Sequence, residues 1–253
     1  MMAAARRVLG LLALAALALP ACAMARADAA LPVYLMTMPP LVIDSPGRRG
    51  MIGDTVLEAM RRAGLTARVL VEPNPRAMAM VRQHDDTLIT ALSRTPEREA
   101  AYTWVAPILP VQRSFYTIGE RVDSFAGARK RLRQIAVSRN TANLEILLRE
   151  GFTPDQLVEV NAGQSAPRML KAGRVDAWFN LVPESEALLR QVGAGAVVAG
   201  ARLAPTELYL ACSRRCRSDY VQRLRAALAA MKADGSMAVL MNKYAAEPGF
   251  TLD

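Results

Sequence analysis

The chain has little of what most catalytic or nucleic-acid-binding sites need. Among its 253 residues there is one histidine, His84, and three cysteines, and aromatic residues make up only 5%. A single histidine does not supply a convincing Ser/His/Asp set, and no metal-ligand spacing or phosphate-binding glycine motif stands out. His84 itself reads as a residue at the end of a helix. Lysine and arginine exceed aspartate and glutamate, 32 to 23, but the basic residues are scattered. With so few aromatics there is no stacking platform interleaved with a basic stripe, so nucleic acid is not an expected partner. An anionic small ligand, or simply a basic surface, fits the charge better.

Long apolar runs are also lacking after the N-terminus. Arg6 and Arg7 precede an apolar stretch from Val8 to Ala21, and Ala27-Asp-Ala29 offers a small-residue cleavage site. This is the pattern of a secretory signal peptide over residues 1–29, too short for a confident membrane span. A weaker lipoprotein cleavage box ends at Cys22, with Pro20 an unusual occupant. The expected location is therefore the periplasm, with lipid anchoring at Cys22 as the less favoured variant. Cys212 and Cys216 would then sit in an oxidising compartment, where two close cysteines most often pair; a metal site would need ligands the chain does not offer nearby.

What is present is alternation of strand and helix patterns. Strands are expected over 31–38, 67–71, 87–92, 113–119, 134–138, 157–160, 174–179 and 206–212. Helices are expected over 49–64, 76–83, 142–150, 165–172, 183–192, 218–233 and 236–244. The order β-α-β-α-β occurs twice, which points to parallel sheets with helical crossovers.

One stretch concentrates chemistry. After the strand ending near Leu92, Thr95 suits an N-cap, Pro96 a first helical position, and Glu97 and Glu99 the positive end of a helix. Arg98 adds a planar charged fork suited to a carboxylate. On local physics alone this is also an ordinary capped helix with a solvated arginine.

The run from Leu92 to Ile108, with Ser93, Thr95, Glu97, Arg98 and the aromatic and "P-hydrophobic" steps that follow, resembles the signature of the periplasmic solute-binding proteins of polar amino-acid ABC transporters, bacterial extracellular solute-binding protein family 3. Lys171–Ala177 resembles that family's "L-x-x-G-R-x-D-A" step, and Lys232–Tyr244 its "dG…i…kY" ending. Pro73–Ala77 resembles a "P-W-x-R-A" variant with Asn74 in place of Trp. The likeness runs from about Leu31 to Tyr244.

The resemblance implies a two-lobed, type II periplasmic-binding-protein-like α/β fold with two hinge crossings. Lobe 1 would comprise 30–117 and 206–253, and lobe 2 would comprise 118–205. It implies a non-catalytic, monomeric receptor without cofactor that closes on a small carboxylate-bearing solute and delivers it to an inner-membrane ABC permease. The rival readings are a periplasmic dehydratase-like enzyme and a ligand-sensing partner of a membrane sensor. Matched residue by residue, Arg98, Ser93 and Thr90 would hold the ligand from lobe 1, with Arg76 at the rim. Thr141, Asn143 and Asn180 would do so from lobe 2, although Thr141 or Asn140 also reads as a plain N-cap. Met38 stands where the family often has an aromatic lid. Leu181 stands where amino-acid-binding members carry an Asp for the ligand ammonium, with Asn180 just before it, which weakens an α-amino-acid assignment. Asp176 reads as the family's structural acid; Glu184 and Glu186 on the next helix could supply the missing charge, although their default reading is a solvated helix face.

Overall fold

The computed structural model describes residues 29–245; the expected signal sequence up to residue 28, with Cys22, lies outside them. Two β-α-β-α-β units share one continuous sheet. The first contributes β1 (Leu31–Met36), β2 (Ala67–Glu72) and β3 (Leu88–Ser93), connected by α1 (Gly50–Arg62) and α2 (Asn74–Gln83). The second contributes β5 (Ile135–Ser138), β6 (Leu157–Val160) and β7 (Ala177–Leu181), with α4 (Ala142–Arg149) and α5 (Ser165–Lys171) between them and α6 (Val182–Val192) after. Within each unit the strands are parallel.

Two long strands join the units. β4 (Tyr102–Ile118) pairs antiparallel with β7, and β9 (Leu203–Ser213) pairs antiparallel with both β3 and β4, giving the order β2-β1-β3-β9-β4-β7-β5-β6. β8 (Val197–Ala199) adds to the far end of β4. The crossings are thus strands, not free linkers. β4 is much longer than the expected 113–119, because Pro107 and Pro110 in its first half suggest an interruption. The β4–β9 register shifts between Trp104 and Ala106, between Pro107 and Leu109, and between Val111 and Arg113. Such irregularities are where a strand tolerates missing N–H donors.

The cores separate along the same line. One cluster is built from Val33, Leu35, Ile52, Val56, Leu88 and Ile89 together with Leu208, Leu210, Leu224 and Tyr244. The other two are built between Phe115 and Ala204, around Phe115, Phe152 and Phe179 and around Tyr116 and Trp178. α7 (Ser218–Ala233) and α8 (Ser236–Ala245) pack on α1, so the C-terminal helices return to the first core. The expected strand over 174–179 starts later, at Ala177, because Asp176 sits in a turn. There its carboxylate accepts from the backbone N–H groups of Arg133 and Gln134 at 2.7 and 2.9 Å, the structural role expected of it. A short helix, α3 (Phe125–Arg131), lies where none was expected. Cys212 and Cys216 form a disulfide across a Cα separation of 6.1 Å. No helix among the described residues is long and apolar enough to cross a membrane.

Candidate functional site

A cavity of about 40 Å³ lies between the two cores, at the carboxyl ends of β1, β3, β5 and β7. Strand ends of this kind are where open α/β sheets bind ligands. Its lining includes Met38, Asn74, Ser93, Arg98, Arg113, Thr141, Asn143, Asn180 and Glu184.

The segment after β3 folds differently from the expected capped helix. Pro96–Ala101 makes only a 3-10 turn, and Thr95 is extended and caps nothing. Its hydroxyl donates instead to Glu145 of α4 at 2.8 Å. The same carboxylate takes the Arg98 fork, from Nε at 2.9 Å and from Nη2 at 2.7 Å. The Arg98 side chain is only 5% exposed, and its Nη1 makes no hydrogen bond among the described residues. Arg98 and Glu145 therefore tie the two halves together across the cleft. An outer pair, Arg149 to Glu97 at 2.9 Å, repeats the tie in solvent.

The central cation of the cavity is one that the sequence reading passed over. Arg113, on β4 where it crosses between the halves, has no exposed surface. Its partners are all neutral: Nε donates to Asn143 Oδ1 at 2.6 Å, Nη2 to Ser93 Oγ at 3.0 Å, and Nη1 to the Ala204 carbonyl at 3.1 Å. Burial pushes the guanidinium down to about 9, helped by the nearby charge of Arg98 and opposed by Glu145, so it stays cationic at neutral pH.

From Arg113 a hydrogen-bonded chain runs to a buried acid. Asn143 Nδ2 donates to Asn180 Oδ1 at 2.7 Å, and Asn180 Nδ2 donates to Glu184 Oε2 at 3.1 Å. Glu184, in the first turn of α6, keeps some surface as a residue, yet its carboxyl faces the enclosed cavity. Burial raises it from 4.5 to about 7 against the opposing hydrogen bond from Asn180. The expected solvated face is therefore wrong for Glu184. Opposite it, Asn74 Oδ1 is buried without a hydrogen-bond partner among the described residues.

Backbone strain is gathered here too. Positive φ is rare for residues other than glycine and is held in place by surrounding structure. Ala91 (φ 55°) and Asn140 (φ 57°) line the cavity, and Ala204 (φ 46°) supplies the carbonyl to Arg113.

Of the residues expected to bind, Arg98, Ser93, Thr141, Asn143 and Asn180 are brought together around the cavity. Two are not. Thr90 is fully buried and donates to the Tyr34 carbonyl, and Arg76 is exposed beside Glu72 at 3.5 Å. β3 is irregular here, with a register shift between Ile89 and Leu92 and Ala91 at φ 55°, and Ala91 and Ser93 line the cavity while Thr90 does not. Thr141 lines the space, but its hydroxyl is used on the Ser138 carbonyl at 2.6 Å. Met38 is buried in the lining, and Tyr34 packs in the core. No group of three or more metal-ligating side chains occurs among the described residues. His84 is exposed at the end of α2, away from the cavity.

No family model and no curated protein matches the chain. Solved structures do share its fold. A histidine kinase sensor domain with similarity to periplasmic binding proteins superimposes with a TM-score of 0.77 at 18% identity, covering 87% of this chain and 97% of that one. The arginine-, lysine-, histidine-binding protein ArtJ of Geobacillus stearothermophilus gives 0.73 at 15% identity, over 87% and 96% of the two chains. The ligand-binding core of GluR0 from Nostoc punctiforme, in complex with L-glutamate, gives 0.72 at 19%, over 85% and 98%. The chain thus has the two-lobed periplasmic-binding-protein-like fold.

Proposed function

We propose that this protein is an exported, non-catalytic receptor that captures a small carboxylate-bearing solute, an amino acid or a relative of one, between its lobes. In this reading the closed form is presented to an inner-membrane ABC permease. The observation that carries it is Arg113: a buried cation held only by neutral groups is costly unless an anion completes it. Ser93, Arg98 and Asn143 stand around it to complete the ligand shell. An ammonium on the solute would meet Glu184 and the unpartnered Asn74 Oδ1 in place of the family's Asp, since position 181 is leucine. A cavity of about 40 Å³ has room for only a few waters, so the solute enters as the lobes part and is buried as they close.

Titration calorimetry against amino acids and small organic acids tests this reading. Capture of a carboxylate that its amide cannot replace supports it; silence across the panel from folded protein overturns it. The sensor-domain neighbour favours a second reading, in which occupancy is passed to a membrane kinase in trans. Permease and ATPase genes beside the coding gene would support delivery, and a kinase gene would support sensing.

A further inference from the structure

Glu145 does not line the cavity, yet it takes two nitrogens of a guanidinium that does. Its side chain is 23% exposed against 5% for Arg98, so it approaches the pair from the outer side. The cleft therefore holds two guanidinium groups, of which one already faces a carboxylate and the other, Arg113, faces none.

We infer that Glu145 sets the charge of the accepted solute: by cancelling Arg98 from behind, it leaves one unanswered cation, so the cleft selects a solute with one carboxylate over an isostere with two. This deepens the proposed capture of a carboxylate and rests on it. A second carboxylate would enter a poorly solvated space with no cation left to pair with, and an unpaired buried charge is expensive. Glu184 adds to that discrimination whenever it is ionised. The outer pair of Glu97 and Arg149 does not, because both its members are more than 40% exposed and water screens them.

The test compares isosteric pairs, succinamate against succinate and glutamine against glutamate, by calorimetry at neutral pH on the native protein and on Glu145→Gln. Glutamine at 145 keeps an acceptor for Arg98 but removes the charge. The native protein should favour the amide member by about tenfold or more, and the variant should shrink that preference by about tenfold. Glu145→Ala, with thermal melts on all three proteins, separates loss of charge from loss of fold.

If Glu145 serves only to hold the lobes together, both members of a pair weaken equally in the variant and the preference is unchanged; that overturns the inference and leaves capture standing. A native preference for the dicarboxylate overturns it as well. If folded native protein binds neither pair, the inference fails; carboxylate capture fails with it only when the wider panel of amino acids and organic acids is silent as well.

Discussion

Arg98 and Arg113 stand at one cleft and differ in what answers their charge. Arg98 is matched by Glu145 from the opposite lobe, while Arg113 is held by an amide, a hydroxyl and a backbone carbonyl. The first arrangement closes on itself and can act as a tie between lobes. The second is complete in hydrogen bonds but not in charge. A guanidinium that is geometrically satisfied and electrostatically unanswered is the better candidate for holding an anion.

Replacing each arginine in turn gives the largest expected effect. Arg113→Met should weaken capture of the carboxylate solute about 30- to 100-fold, equivalent to about 2–3 kcal/mol for a lost charge-assisted contact. Arg98→Met should cost about tenfold or less, since Arg113 remains and the freed Glu145 is partly solvated. A larger loss at Arg98 than at Arg113 would break the comparison.

The acid at the other end of the amide chain tests the same contrast through stability. Glu184 holds its proton to about 7 in the fold, against an ordinary value of 4.5. Between those values the folded form binds more protons than the unfolded chain, so stability falls as pH rises through that window. Glu184→Gln removes the penalty, and above neutral pH it should be more stable by about 2 kcal/mol, with little gain at pH 4. Urea melts at several pH values measure this; a pH-independent difference would deny the burial of the carboxyl.

The smallest effect is expected at the rim: Glu97→Gln breaks only an exposed pair and should change affinity less than about twofold.

Much of the frame was legible because it is local. β6 over Leu157–Val160 and α7 over Ser218–Ala233 fall where apolar spacing and turn residues put them. The first half of β4 was not legible, since its prolines are tolerated only through bulges against β9, a partner about a hundred residues away. In the candidate site, Ser93, Asn143 and Asn180 were reached through the family resemblance rather than from local pattern, and the fold brings them to one cavity. Arg113 carried a signal that was missed: alternation within the expected strand places it on one face with Phe115, which is buried, and so sets a charge on a core face. The pairing of Arg98 with Glu145 had no such signal, because nothing local to either residue specifies a contact made only when the lobes meet.

A crystal structure of the protein with the tightest-binding carboxylate of the panel tests the central claim most directly. The account predicts a carboxylate oxygen within about 3 Å of an Arg113 nitrogen, inside the cavity bounded by Ser93, Asn143 and Asn180. A solute held outside that cavity, or one that takes Arg98 from Glu145 and leaves Arg113 with neutral partners alone, would contradict it.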